Sequence, residues 1–247
     1  MKIININEIA KIIKSNSTIA IGGFTINRKP ISIINEIAKS QIKNLSLFLL
    51  AGSLDVDLLV EANKLKKISA AYVGYEGLGV SSLTRKAIES KKIIFEDLTE
   101  ILYYFRLKAG SIGAPFIPTK SLVNSDISKI NLSCKKIKDP FTEAISIAIQ
   151  AINPDICIIH AQKADKEGNI LIDEPDFSEK EMAQASKITI VSVEKIGKIK
   201  PNQVSISKNF VDYIIISKKG AAPTGCKGYY DPDIKKLIKY LKNEKRL

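Results

Sequence analysis

Short, mainly apolar runs that end on glycine recur along this chain, and each gives way to a segment whose apolar residues return at helical spacing. Thr18 to Ile21 runs into Gly22-Gly23-Phe24, Leu45 to Leu50 ends in Ala51-Gly52-Ser53, and Ile68 to Val73 opens into Gly74-Tyr75-Glu76-Gly77-Leu78-Gly79. A strand with no polar alternation is buried on both faces, so it belongs in a sheet covered by helices on either side. Pro30 suits the first turn of a helix, where its missing N–H costs nothing, and Ile31, Ile34, Ile37 and Ala38 give that helix an apolar face. The same rhythm predicts a first helix through Ile6, Ile9, Ala10 and Ile13, then helices over 56–62, 83–89, 98–107, 142–151, 179–185 and 232–244. Further strands are expected over 92–95, 155–160, 188–194 and 211–217. The predicted fold class is α/β, with an open, mainly parallel sheet and helices on both faces. Gly110, Gly113, Pro115 and Pro118 mark a loop, and the polar stretch 119–140 reads as an irregular excursion. No repeat or linker divides the chain, so a single domain over 1–247 is expected.

Composition bears mainly on partners. A chain with 45% hydrophobic and 26% charged residues is an ordinary globular one. The formal net charge of +12 raises nucleic acid or an anionic membrane as partners. Yet only Arg28, Arg85, Arg106 and Arg246 are arginine among 38 basic residues, and readers of base edges favour the planar guanidinium. Basic runs go no further than pairs such as Lys66-Lys67, so the excess reads as a lysine coat, with attraction of anionic ligands secondary and no nucleic-acid partner. Cys134, Cys157 and Cys226 stand far apart and His160 is the one histidine, which predicts neither a disulfide framework nor a metal site. No secretion signal opens the chain, and no apolar run reaches a membrane span. A cytoplasmic location is expected.

In open α/β sheets the ligand crevice lies beyond the carboxyl ends of the strands, where all three glycine turns fall. Gly22, Gly23, Phe24, Gly52, Ser53, Glu76 and Gly77 are therefore candidate site residues. No G-x-G-x-x-G or P-loop pattern is present, and Ser53 does not sit in G-x-S-x-G. A serine triad would have to use His160, which closes an apolar strand and is better placed to hold a neighbouring loop. Glu76, flanked by Gly77 and Gly79, has little steric cover and reads either as a base or acceptor facing a cleft or as a solvated loop residue. Arg28 reads either as a partner for a carboxylate or phosphate or as a cap or surface ion pair.

One resemblance covers nearly the whole chain. Ile19-Ala-Ile-Gly-Gly-Phe-Thr-Ile-Asn-Arg-Lys-Pro30 resembles the signature of the A-type (alpha) chain of family I CoA-transferases, in its glutaconate CoA-transferase version. Tyr75-Glu-Gly-Leu-Gly79, Ala114-Pro-Phe-Ile-Pro118, Ile158-Ile-His-Ala-Gln162, Ile190-Val-Ser-Val-Glu194 and Gly220-Ala-Ala-Pro223 follow in the family's order. The resemblance implies the CoA-transferase subunit fold and ping-pong transfer of CoA between carboxylic acids through a glutamyl-CoA thioester. It implies a B subunit that carries this glutamate in a Glu-Asn-Gly stretch, acyl-CoA as substrate with no permanently bound cofactor, and a heterotetramer or larger assembly. This chain has no Glu-Asn-Gly, since Glu167-Gly168-Asn169 runs in the wrong order, so no catalytic residue is expected on it. Gly22, Gly23, Phe24, Gly52 and Ser53 would line the acyl pocket and help hold thioester oxygens, with Arg28 anchoring the turn or meeting a carboxylate. Lysine-rich rims would attract the phosphates of CoA. Ala222 stands where the family often has histidine, so glutaconate itself is not implied. A branch of the same fold hydrolyses a carbon–carbon bond in ring-derived CoA thioesters without the glutamyl nucleophile, and there Glu76 would be the catalytic candidate.

Overall fold

The structure is a computed structural model that describes residues 1–242, so residues 243 and 244 of the expected last helix lie outside the described residues. Strand β1 (Lys2–Ile3) precedes a 3-10 turn over Ile6–Glu8 and helix α1 (Ile9–Ile12). The glycine-punctuated part of the chain then alternates strictly. It forms β2 (Thr18–Ile21), α2 (Ile31–Lys39), β3 (Leu45–Gly52), α3 (Leu54–Glu61), β4 (Leu65–Val73), α4 (Ser82–Glu89) and β5 (Ile94–Asp97). Helix α5 (Glu100–Ser111) leads into β6 (Phe116–Thr119), α6 (Ile127–Ile130), β7 (Cys134–Lys138) and β8 (Ile145–Gln150). The chain closes with β9 (Ile156–Ala164), β10 (Ile170–Leu171), α7 (Glu179–Ala185), β11 (Ile188–Ile196), β12 (Tyr213–Ile216) and α8 (Ile234–Leu241).

The main sheet runs β1-β12-β11-β9-β2-β3-β4-β5 with every neighbouring pair parallel, and β10 folds back antiparallel onto β9. Successive side chains of a strand point to opposite faces, and the core divides accordingly. Ile19, Ile21, Leu47, Leu49, Ile156 and Ile158 pack with Ile33, Ile34 and Ile37 of α2 and Val56 and Leu59 of α3. Ala20, Phe48, Cys157, Ile159, Val191 and Val193 face Leu102, Tyr103 and Leu107 of α5 and Met182 and Ala183 of α7. Two separate apolar cores, one on each face, are what the unalternated strands require.

Two expectations are corrected. The 142–151 segment is strand β8, not a helix. Ile145, Ile147 and Ile149 recur at period two, and β-branched side chains lose little on a pleated surface. The 119–140 stretch is ordered rather than irregular, because β7 and the end of β6 pair with β8 in a three-stranded antiparallel sheet of order β6-β8-β7. Leu122, Cys134, Ile147 and Ile149 join this small sheet to the core that α5 covers.

From β2 the chain winds outward through β3, β4 and β5, whereas from β9 it winds the other way through β11 and β12. Strands β2 and β9 are neighbours, with Ile21 opposite Ile158. Adjacent strands whose connections leave in opposite directions open a crevice at their carboxyl ends. The Gly22-Gly23-Phe24 turn begins there.

Candidate functional site

The turn after β2 folds back on itself, with Phe24 N–H donating to Asn27 O at 2.9 Å and Asn27 N–H returning to Phe24 O at 2.8 Å. Gly23 takes φ +76°, and a Cβ there would stand 2.4 Å from the Arg28 carbonyl oxygen, so the position demands glycine twice over. Phe24 stacks on Phe177 at 4.6 Å between centroids, which seats the 173–178 segment across the turn.

Arg28 points inward. It is 1% exposed, its Nη2 lies 2.6 Å from Glu179 Oε1, its Nε lies 2.7 Å from Glu174 Oε1, and its Nη1 donates to His160 O at 3.1 Å. Burial works against the guanidinium's charge, but Glu179 and Glu174 outweigh it and keep the group firmly protonated. Glu179 also accepts from Gly23 N–H at 3.0 Å and Phe177 N–H at 2.6 Å. Burial alone would raise its carboxyl, yet Arg28 and these donors hold it well below the ordinary range. Lys29 is fully buried beside it, with Nζ 3.0 Å from Asp55 Oδ2 and 3.3 Å from both the Gly22 and Gly23 carbonyl oxygens. Asp55 in turn accepts from Ser53 N–H at 2.7 Å, and the Ser53 hydroxyl donates to Thr25 O. One buried ion pair thus ties the first glycine turn to the second.

These contacts correct part of the expected role of the turns. Gly22 N–H donates to Ile158 O, Gly23 N–H to Glu179, Phe24 N–H to Asn27 O and Ser53 N–H to Asp55. None of the four is a free donor for an acyl oxygen. Arg28 anchors the turn to the chain's own carboxylates and is neither a surface ion pair nor open to an incoming one.

What the turns do present outward is Glu76. It is exposed and left-handed at φ +53°, a costly conformation for a side-chain residue. Tyr75 next to it is fully buried, donates its hydroxyl to Asp57 Oδ2 at 2.6 Å and locks the loop through its N–H on Gly79 O at 2.8 Å. The Thr25 hydroxyl donates to Glu76 Oε1, and Asn27 Nδ2 lies 3.4 Å from the same oxygen. A Cβ on Gly77 or Gly79 would meet nothing within 4 Å, so the approach to this carboxylate is open. The turns after β2 and β4 thus come together at Glu76, with Thr25 and Asn27 as partners. Those two lie inside the first glycine motif, where spacing alone does not single them out.

His160 lies behind this surface. Its Nδ1 is 2.8 Å from Ser192 Oγ and its Nε2 3.0 Å from Glu194 Oε1, a serine–histidine–acid arrangement with all three residues buried. Burial lowers the imidazole's pKa, while His160, Tyr230 and Lys219 N–H offset burial at Glu194 and keep it ionised. A neutral histidine that donates from Nε2 and accepts from Ser192 at Nδ1 satisfies both. Cys226 brings its sulfur within 4.8 Å of the His160 and Glu194 ligand atoms. Burial, then Glu194, push that thiol up to about 12, and the histidine and carboxylate are already bonded to each other, which is poor chemistry for holding a metal.

The family model described as coenzyme A transferase matches residues 3–217. The A-type chain of glutaconate CoA-transferase from Acidaminococcus fermentans is 30% identical over 92% of this chain and 78% of its own length. The crystal structure of that enzyme superposes with a TM-score of 0.91 at 29% identity, covering 98% of this chain and 84% of the other. An uncharacterized protein of Archaeoglobus fulgidus is 32% identical over 94% of this chain, which spans only 54% of that protein's length. The IpdA component of a cholesterol ring-cleaving hydrolase from Rhodococcus jostii is 26% identical over 99% of this chain and 87% of its own.

Proposed function

The chain belongs to the coenzyme A transferase family, and from that premise we propose that it is the A-type half of a two-subunit enzyme that moves CoA between carboxylic acids. The observation that carries this is the coincidence of the family match with a pre-organised cluster of the turns after β2 and β4, where Glu76 is exposed. The nucleophile is a glutamate of the B subunit. It attacks the acyl-CoA carbonyl and expels CoA thiolate to leave a mixed anhydride; the thiolate attacks the glutamyl carbonyl and releases the first acid, and the second acid's carboxylate reverses the two steps and departs as its CoA thioester. This chain has no Glu-Asn-Gly stretch and supplies binding and orientation. Gly22, Gly23, Gly52 and Ser53 are buried and, held by Arg28 and Lys29, form the rigid backing of the turns, while Phe24, Glu76 and Gly77 face the acyl group. Rigidity here matters because a misplacement of about 1 Å at a reacting centre costs about a hundredfold in rate. The assembly is a heterotetramer or larger in the cytoplasm, a compartment that suits three unpaired, buried cysteines.

Hydrolysis of a carbon–carbon bond, with Glu76 as base, is the second use this fold suggests. It is not favoured, because the transferase chain is the nearer of the two relatives, at 30% against 26% identity. Co-expression with the adjacent reading frame and incubation with acyl-CoA decides the matter. The expected result is a hydroxylamine-sensitive glutamyl thioester on the partner, and a thioester on this chain, or transfer by this chain alone, would overturn the assignment.

A further inference from the structure

We propose that Glu76 is a specificity-determining residue that selects acids whose far end carries a hydrogen-bond donor, a hydroxyl or ammonium group, over acids with a second carboxylate. The inference rests on the proposed transferase function and adds the substrate class. It follows from counting what the turn offers to a ligand. The Thr25 hydroxyl and the Asn27 amide both direct a donor at Glu76 Oε1, so what the cluster turns outward is chiefly acceptor oxygen. Glu76 Oε2 has no partner among the described residues, and the side chain is exposed above two glycines with open space around them.

The donors that a second carboxylate would need are hidden. Arg28 is 1% exposed and neutralised by Glu174 and Glu179, and Lys29 is 0% exposed and neutralised by Asp55. The N–H groups of Gly22, Gly23, Phe24 and Ser53 are consumed inside the chain. A dicarboxylate would therefore bring its second charge against Glu76 with no cation of this turn to receive it, whereas a hydroxyl or ammonium would complete the unpartnered oxygen. The left-handed backbone of Glu76, held by buried Tyr75, is the strain expected where a side chain must be aimed rather than merely accommodated.

The test uses the complex with its partner chain, acetyl-CoA as donor, and four acceptors of equal chain length: valerate, its omega-hydroxy and omega-amino derivatives, and glutarate. The expected kcat/KM for at least one donor-bearing acid exceeds that for glutarate by about tenfold or more, a charge-assisted hydrogen bond's worth. Glu76→Gln, which replaces one acceptor oxygen by an N–H donor without changing shape, is expected to erase about tenfold of that ratio, chiefly through KM. Glu76→Arg is expected to favour glutarate outright. A preference of the unmodified complex for glutarate, or a ratio unchanged in Glu76→Gln, overturns the inference while leaving the transferase function standing. Absence of transfer to all four acids by a complex that still forms the glutamyl-CoA thioester on the partner overturns the inference alone, whereas absence of the thioester as well overturns the proposed function, and this inference falls with it. Preference for the amino over the hydroxy acid identifies charge pairing as the form the donor takes.

Discussion

Arg28 and Glu179 sit in direct contact and fully buried, so removing one strands the other. Arg28→Met is expected to cost about 3–5 kcal/mol at neutral pH, because Glu179 is left buried and uncompensated. The pH dependence has a definite sign. Glu179's folded pKa is depressed, so its contribution is fully present above the unfolded value of about 4.3 and is lost as pH falls through the folded one. Without Arg28, burial dominates, the folded pKa rises, and the variant takes up a proton more readily than its unfolded chain. Urea unfolding should therefore show the variant's deficit shrinking from about pH 7 to about pH 5, and a constant or growing deficit would refute the account. The glycines make a second test at this scale. Gly23→Ala forces a Cβ to 2.4 Å from Arg28 O at φ +76° and should cost about 1–3 kcal/mol, whereas Gly77→Ala meets open space and should stay within about 0.5 kcal/mol. Thermal melts of the two variants separate them. In the sequence these glycines look alike, since each only ends or follows an apolar run. What distinguishes them is a backbone carbonyl five residues on that folds back over one and not the other. Glu174 and Glu179 were illegible for a related reason, because ion pairs across 146 and 151 residues leave no local pattern.

At the scale of elements, strands buried on both faces were readable because nothing else explains Leu47 to Ala51 or Ile156 to Ile159 as unbroken apolar runs. Strand β8 was not readable, since Ala144, Ala148 and Ala151 beside Ile145, Ile149 and Ile152 satisfy helical spacing as well as Ile145, Ile147 and Ile149 satisfy period two. Pairing with β6 and β7 decided between the two periods; β6 lies where Pro115 and Pro118 read as loop, and β7 in a stretch whose lysines disguised it. The seam between α5 and its neighbours gives this scale its prediction. Gly110 lies in the last turn of α5, where alanine would gain about 1 kcal/mol of helix propensity. An added Cβ would stand 2.2 Å from the Ile152 carbonyl oxygen and 3.1 Å from the Ala185 Cβ of α7. The carbonyl belongs to backbone that cannot rotate away, so α5 must lift, and overpacking of this kind costs about 1–3 kcal/mol. Gly110→Ala should lower stability on balance. A melting temperature unchanged or raised would show that α5 is not clamped here.

For the whole molecule, a cluster of turns at the carboxyl ends of the strands was foreseeable, but the switch point between β2 and β9 depends on strand order, which 134 residues of intervening chain conceal. Net charge is the property that belongs to this scale alone. The +12 balance does not reside at the turn cluster, where the basic residues are buried and paired, so it lies in the lysine coat. A diffuse coat acts on encounter rather than on the bound state, drawing a polyanion such as CoA toward the surface without fixing its phosphates. Raising ionic strength from about 0.01 M to about 0.15 M shortens the screening length from about 30 Å to about 8 Å. In the assembled complex, kcat/KM for the acyl-CoA should then fall several-fold while kcat holds, since long-range attraction is screened and chemistry is not. A flat kcat/KM would mean that the coat does no steering. Retention of double-stranded DNA at low salt, with affinity falling steeply as salt rises, would instead return the charge to nucleic acid.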